Sequence, residues 1–217
     1  MDSLTIDWFS DVGCPFCAIG RRQLDQALAT LGYDDSVIRI RAFELDPAAP
    51  ASYGRSMNDL VASKYGLEHD QVERFHGKLT EDAAEFGLAL RFDLVEGGNT
   101  FDAHRLTAWA STQGLGPALA RALQEAYFEN GLSPSDHAAL EEVADAVGLD
   151  PIEAAEVLGS DRFTDEVRRE ERTAHALGFT GVPTALINGK VLVSGAQGVD
   201  AFLEGIEAGL AATPAPS

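Results

Sequence analysis

Asp11-Val12-Gly13-Cys14-Pro15-Phe16-Cys17-Ala18-Ile19-Gly20 is the stretch on which the reading of the whole chain turns, because it holds the only two cysteines in 217 residues. On its N-terminal side, Leu4-Thr5-Ile6-Asp7-Trp8-Phe9 is rich in β-branched and aromatic side chains and reads as a short strand. On its C-terminal side, Phe16, Ile19, Leu24, Ala27, Leu28 and Leu31 recur at helical spacing and predict an amphipathic helix. The cysteine pair therefore falls where a strand gives way to a helix. Cys14 takes the N-cap and Pro15 the first helical position, where its fixed φ fits and its missing N–H is no loss.

That placement divides the labour between the sulfurs. At the positive end of the helix dipole, among unpaired backbone N–H groups, Cys14 is placed to react as a thiolate. Cys17, one turn further in and shielded, is the expected resolving thiol that attacks the mixed disulfide formed on Cys14. A structural disulfide and half of a zinc site are the competing readings. A four-residue loop is a poor staple, and structural zinc takes four Cys or His ligands where this chain has no second pair. Strand, Cys-x-x-Cys and helix in this order favour redox chemistry.

Composition narrows the rest. Lys plus Arg number 16 against 35 Asp plus Glu, a formal net charge of −19, which argues against nucleic acid or an anionic membrane as a partner. Most of that charge reads as a solvated acidic surface. No apolar run is long enough to cross a membrane. Met1-Asp2-Ser3 carries no basic residue and leads straight into the first strand, unlike a signal peptide, so a cytoplasmic setting is expected. There, two cysteines favour catalysis over stapling.

Beyond the first helix, Val37-Ile38-Arg39-Ile40-Arg41-Ala42-Phe43 predicts a second strand, parallel to the first across a helical crossover. Asp46-Pro47-Ala48-Ala49-Pro50 marks a boundary. From Ser56 to about Ala176 the pattern is helical. Met57, Leu60, Val61 and Tyr65 share a face, a helix runs near Asp70 to Phe86 with Val72, Phe75 and Leu79 at helical spacing, and Leu88 to Leu94 reads as an extended piece. Asn99 is the expected N-cap of the helix carrying Phe101, Leu106 and Trp109, and Pro117 to Phe128 forms another. Ser133-Pro134 and Asp150-Pro151 signal two further starts, and a last helix of the block runs from about Asp161 to Leu177. The period then returns to two. Val182-Pro183-Thr184-Ala185-Leu186-Ile187 and Val191-Leu192-Val193-Ser194 flank Asn188-Gly189-Lys190, a hairpin signal, and a final amphipathic helix carries Val199, Phe202, Ile206 and Leu210. Ala211 to Ser217 reads as a frayed tail.

In this order, with Ser10 to Gly20, Asn99 and Ala103-His104-Arg105-Leu106, Gly181-Val182-Pro183-Thr184 and Val193-Ser194-Gly195-Ala196-Gln197, the chain resembles the thioredoxin superfamily. More narrowly it resembles the DsbA family with a helical insertion, and within that the FrnE-like branch, where Trp is common in place of Phe16. The resemblance implies an α/β, thioredoxin-like fold with an inserted all-helical domain: residues 1–55 and 177–217 form the discontinuous thioredoxin-like domain and 56–176 the insertion. It implies that the Val182–Pro183 bond is cis and packs against the cysteines; the residues alone equally allow a trans proline at the start of a strand. It also places His104 near the site, facing the thiols or a client, where a surface or packing histidine is the plainer reading. His69 and His76 read as solvated, with no ligands at metal spacing.

The function implied is a thiol–disulfide oxidoreductase, acting as a protein disulfide reductase or isomerase on protein thiols. Cys14 and Cys17 are its catalytic pair, Pro15, Phe16, Val182, Pro183 and His104 its substrate-facing residues, and it needs no metal or cofactor. Glutathione or a thioredoxin-type reductant is the expected redox partner. The alternative is a glutathione-dependent small-molecule isomerase of the 2-hydroxychromene-2-carboxylate isomerase type, in which Ser usually stands at the first cysteine position. Two cysteines favour exchange.

Overall fold

The computed structural model describes residues 4–212. Of the tail expected from Ala211 onward, residues 213–217 lie outside the described residues. Four strands, β1 (Ile6–Ser10), β2 (Ile38–Ala42), β3 (Thr184–Ile187) and β4 (Val191–Ser194), form one sheet in the order β2-β1-β3-β4. β1 runs parallel to β2 and antiparallel to β3, and β3 and β4 form a hairpin. Between β1 and β2 lies α1 (Pro15–Leu31). Between β2 and β3 come α2 (Met57–Tyr65), α3 (His69–Ala84), α4 (Phe101–Ser111), α5 (Gly116–Asn130), α6 (His137–Ala146), α7 (Pro151–Leu158) and α8 (Thr164–Ala176). α9 (Val199–Ala211) closes the described chain.

β1 is buried along its whole length because both faces of the sheet are covered. Ile6 and Trp8 point to one face, where Leu24, Ala27 and Leu28 of α1 and Phe202 and Ile206 of α9 meet them. Phe9 points to the other, against Phe43, Ala174 of α8 and Phe179. Asp7 shares that second face and receives Arg41 Nε at 2.7 Å, while Arg41 Nη1 reaches Glu170 of α8 at 2.7 Å. The other Glu170 oxygen accepts from Ala42 N at 2.8 Å, so a carboxylate of α8 takes an N–H of the edge strand. α8 thus sits on the sheet, although it closes the helical run in sequence.

The remaining helices surround a second core containing Leu106, Trp109, Leu119, Leu123, Phe128, Leu140 and Val157. Val12, Ala18 and Ile19, from either side of the cysteines, belong to this core too. The decisive stretch therefore lies where the sheet core and the helical core meet. Arg105 of α4 ties that block together: its guanidinium donates to the carbonyls of Val157 and Ser160, and Nε to Arg162 O at 3.0 Å. Those carbonyls are the end of α7 and the turn into α8, where Phe163 holds a positive φ of 64°.

Most expected elements are present within a few residues, and the differences have local causes. The α6 start is set by Asp136, whose Oδ1 accepts from Ala138 N at 3.0 Å, rather than by Ser133-Pro134, which forms the preceding turn. Thr100 occupies the N-cap of α4, while Asn99 stands one residue earlier and accepts from Phe101 N at 2.9 Å. Leu88 to Leu94 pairs with no strand; Leu88 and Leu90 are pinned into the helical core instead. On α3 the apolar face is Val72, Leu79 and Ala83 with His76, not Phe75. His76 is buried, stacked on Phe92 with centroids 3.9 Å apart, and its Nδ1 lies 2.7 Å from Asn58 Oδ1; burial pushes its pKa down. His69 is exposed. The hairpin turns through Asn188 and Gly189 at φ 49° and 68°, the two positive values that an Asn-Gly turn supplies.

Candidate functional site

Cys14 is the N-cap of α1, with extended backbone angles of −100° and 111°, and Pro15 follows as the first helical residue. The Cys14 carbonyl accepts from Cys17 N at 3.0 Å and Ala18 N at 3.3 Å, which fixes both cysteines to the first turn. Both are free thiols. Both are buried, Cys14 at 3% exposure and Cys17 at none, so the first cysteine alone keeps any contact with solvent. Cys14 makes no side-chain cap to its own helix; its thiol donates instead to Val182 O at 3.6 Å, a sulfur-length hydrogen bond. The Val182–Pro183 peptide bond is cis. Pro183 is buried against α1, where a Cβ built on Gly20 would stand 3.1 Å from Pro183 Cγ and 3.3 Å from Trp8 Cη2. Only a glycine lets this ring approach the helix so closely.

Burial pushes the Cys17 thiol well up and Cys14 raises it further by hydrogen bonding and charge, while at Asp11 a backbone hydrogen bond lowers it and the carboxylate charge raises it. Asp11 itself is enclosed at the end of β1. Its Oδ2 accepts from Leu45 N at 2.7 Å and its Oδ1 from Gly13 N at 3.3 Å, and its carbonyl accepts from Cys14 N and Gln124 Nε2. His104 of α4, only 4% exposed, places Nε2 3.4 Å from Asp11 Oδ1. Nε2 has no hydrogen-bond partner, so the contact is an ion pair without a well-aligned hydrogen bond. Burial alone would raise the Asp11 carboxyl, but His104, the Leu45 N–H and Thr100 outweigh it and hold the acid below its usual range. Burial disfavours the His104 imidazolium, yet Asp11, with Glu44 and Glu171 behind it, raises its pKa overall.

Phe16 and Phe75 stand beside the pair on the outer side. They are 40% and 44% exposed and face each other with centroids 6.4 Å apart. The helical spacing that groups Phe16 with the core face of α1 and Phe75 with the core face of α3 is overridden by this mutual contact at the surface. The structure thus gathers Cys14, Pro15, Phe16, Cys17, Val182 and Pro183 around one helix end and places His104 in the buried layer beneath. Asp11, Gly20, Thr100, Gln124 and Tyr127 also build the site without having been singled out as site residues. The signal for Asp11 was a lone acid between Phe9 and Val12, three positions ahead of Cys14. Gly20 stood in the decisive stretch itself, whereas Thr100, Gln124 and Tyr127 come from distant segments and left none.

A parallel–antiparallel four-stranded sheet with helices on both faces, and a Cys-x-x-Cys at the N-terminus of the first helix, defines a thioredoxin-like fold. The model of the DSBA-like thioredoxin domain matches residues 5–207, and the chain belongs to that family. A probable DsbA oxidoreductase from Streptomyces coelicolor is 32% identical, with a TM-score of 0.91 over 99% of this chain and 93% of that one. The cytosolic disulfide reductase DsbM from Pseudomonas aeruginosa, solved with glutathione, is 20% identical with a TM-score of 0.56, covering 95% and 96%. A 2-hydroxychromene-2-carboxylate isomerase is 19% identical with a TM-score of 0.65, covering 88% and 89%. The last two share the fold. No curated protein matches the chain. Among the described residues, no helix is long and apolar enough to cross a membrane.

Proposed function

We propose that this protein is a thiol–disulfide oxidoreductase of the FrnE-like kind, working on protein thiols as a reductase or isomerase in the cytoplasm. The observation that carries the reading is the asymmetry of the cysteines: Cys14 at the helix end, on the Val182 carbonyl and alone in contact with solvent, with Cys17 sealed behind it. The Cys14 sulfur attacks one sulfur of a client disulfide; that bond breaks and the other client sulfur leaves as a thiolate. Cys17 then displaces the first client sulfur from Cys14. The Cys14–Cys17 disulfide forms, the client thiol takes the Cys17 proton, and two electrons have passed to the client. A reductant, glutathione or a thioredoxin-type protein, returns them.

Pro15, Phe16, Val182 and Pro183 are the residues we assign to the client. An extended peptide laid along Val182 and the Phe16–Phe75 face brings its disulfide to Cys14, and the helical insertion, 56–176, supplies Phe75 to that face. The isomerase alternative has fold likeness behind it and no observation at the site; a resolving thiol serves no purpose in it. Turbidity of insulin reduced by dithiothreitol, run beside immobilised glutathione, tests the choice. Acceleration that vanishes in Cys14→Ser supports exchange. Tight glutathione binding with no acceleration refutes it.

A further inference from the structure

A cleft of about 360 Å³ opens between the C-terminal half of α1, α5 and the loop at residues 33–35. It lies away from the cysteines: the path along α1 from Cys14 to Asp25, on the cleft wall, is about 16 Å at 1.5 Å per residue. Charged groups of both signs meet there. Arg21 Nε donates to Asp25 Oδ1 at 2.8 Å, and Arg121 Nη2 of α5 stands 3.2 Å from Asp25 Oδ2. Asp35 Oδ2 lies between the same two guanidiniums, 3.6 Å from Arg21 Nη2 and 3.4 Å from Arg121 Nη2. Arg22 pairs with Glu125 of α5.

These pairings leave two donors unmet. Among the described residues, neither Arg21 Nη2 nor Arg121 Nε has a hydrogen-bond partner, and both atoms are buried. Arg121 lines the cleft, and Arg21, only 2% exposed, stands next to it across Asp35 Oδ2. A buried N–H without an acceptor costs about 1–3 kcal/mol, a cost that an oxygen entering the cleft removes. The opposite need is present beside it. Asp34 is exposed and takes Ser36 N on Oδ1 at 2.9 Å, and Asp35 is partly exposed. A carboxylate has about four acceptor sites, so both acids keep room for a donor from outside.

The balance of charge selects among ligands. Three arginines, Arg21, Arg22 and Arg121, face four acids, Asp25, Asp34, Asp35 and Glu125, on a chain of net charge −19. A simple anion satisfies the two donors but enters against that field. A simple cation leaves the donors unmet. A zwitterion answers both, and Ala29 and Tyr33 give the cleft an apolar side. The volume is at the small end of the range for ligand sites, about 300–1,000 Å³.

We propose that this cleft binds a free α-amino acid, at a site separate from the cysteines. The carboxylate takes the N–H groups of Arg121 and Arg21, the ammonium rests on Asp34 and Asp35, and an aliphatic side chain lies against Ala29 and Tyr33.

The test titrates the full chain calorimetrically with leucine, beside isocaproate, which lacks the ammonium, and isoamylamine, which lacks the carboxylate. Leucine should saturate with a Kd of about 1 mM or lower, and each analogue should bind weaker by about tenfold or more, the worth of a lost charge-assisted hydrogen bond. Arg121→Gln and Asp35→Asn should weaken leucine by a similar factor. Arg121 and Asp35 are both partly exposed, so these changes leave the core intact. Amide NMR of the wild type depends on no variant folding; leucine should move residues 22–35 most. Failure to saturate at about ten times the expected Kd overturns the proposal. So does isocaproate or isoamylamine binding as tightly as leucine, Arg121→Gln binding it as the wild type does, or shifts centred on Cys14. Leucine binding is read without thiol chemistry, so this result and the insulin result stand or fall separately.

Discussion

Replacing Gly20 with Ala sets two effects of known sign against each other at the contact that seats Pro183. A glycine inside a helix costs about 0.5–1 kcal/mol relative to alanine, so the substitution gains that much in backbone terms. The new methyl, however, would lie 3.1 Å from Pro183 Cγ and 3.3 Å from Trp8 Cη2, with Ala196 Cα at 3.5 Å. Carbon atoms settle about 3.5–4.0 Å apart. Both rings are buried and rigid, and Trp8 is held by Phe202 with centroids 5.9 Å apart, so neither swings clear as a long side chain would. Overpacking of this kind costs about 1–3 kcal/mol. The net expectation is a loss of about 1 kcal/mol in urea unfolding. Relief by moving Pro183 also moves the Val182 carbonyl off Cys14, so insulin reduction should fall by more than the small unfolded fraction explains. A variant that is more stable than the wild type and fully active would refute the argument.

Three further outcomes follow from the same geometry. Cys17→Ala should accumulate mixed disulfides on Cys14, visible as mass adducts that dithiothreitol removes, whereas Cys14→Ala should form none; adducts of equal yield on both would contradict the division of roles. The depressed Asp11 contributes stability that is present above about pH 4 and lost as pH falls through its folded value. The raised His104 contributes stability that is full below about pH 6.5 and lost as pH rises through its folded value. The stability difference between wild type and Asp11→Asn/His104→Gln should therefore peak at about pH 4–6.5 in urea titrations and shrink on both sides. Arg21 is buried, with Nε on Asp25 at 2.8 Å, and Arg121 also reaches Asp25 at 3.2 Å. Arg21→Met should cost less than about 2 kcal/mol, because Asp25 keeps a partner, while Asp25→Ala leaves the buried Arg21 charge only Asp35 at 3.6 Å and should cost more, about 3 kcal/mol.

The elements legible in the sequence were those specified by local rules. Pro15 after a cysteine, Asp150 before a proline and Asn188-Gly189 between alternating residues each dictate backbone shape within four residues. Where two capping signals stood close together, local reading took the wrong one: Asp136, not Ser133, turns the chain into α6. Periodicity failed at Phe16 and Phe75 because it identifies a stripe of apolar residues and not which edge of the stripe a neighbour covers. His76 reads as solvated until Phe92, sixteen positions on, closes over it. The cysteines announce themselves, but the groups that set their chemistry come from β1, the loop after β2, α4 and α5, and that assembly is visible only in three dimensions.

The three carbonyls that Arg105 gathers carry an implication for how the chain assembles. They stand more than fifty positions from it along the chain, at Val157, Ser160 and Arg162. They also close a bend whose last residue, Phe163, holds a left-handed conformation that costs a non-glycine residue about 1–3 kcal/mol. Helix α7, eight residues long, cannot hold that bend shut by itself. The bend has to wait for α4, so the passage from α7 to α8 should be among the late events of folding, and the two helices should open together when α4 lets go. Amide exchange across residues 157–164 should then keep step with α4 and not with the sheet on which α8 rests.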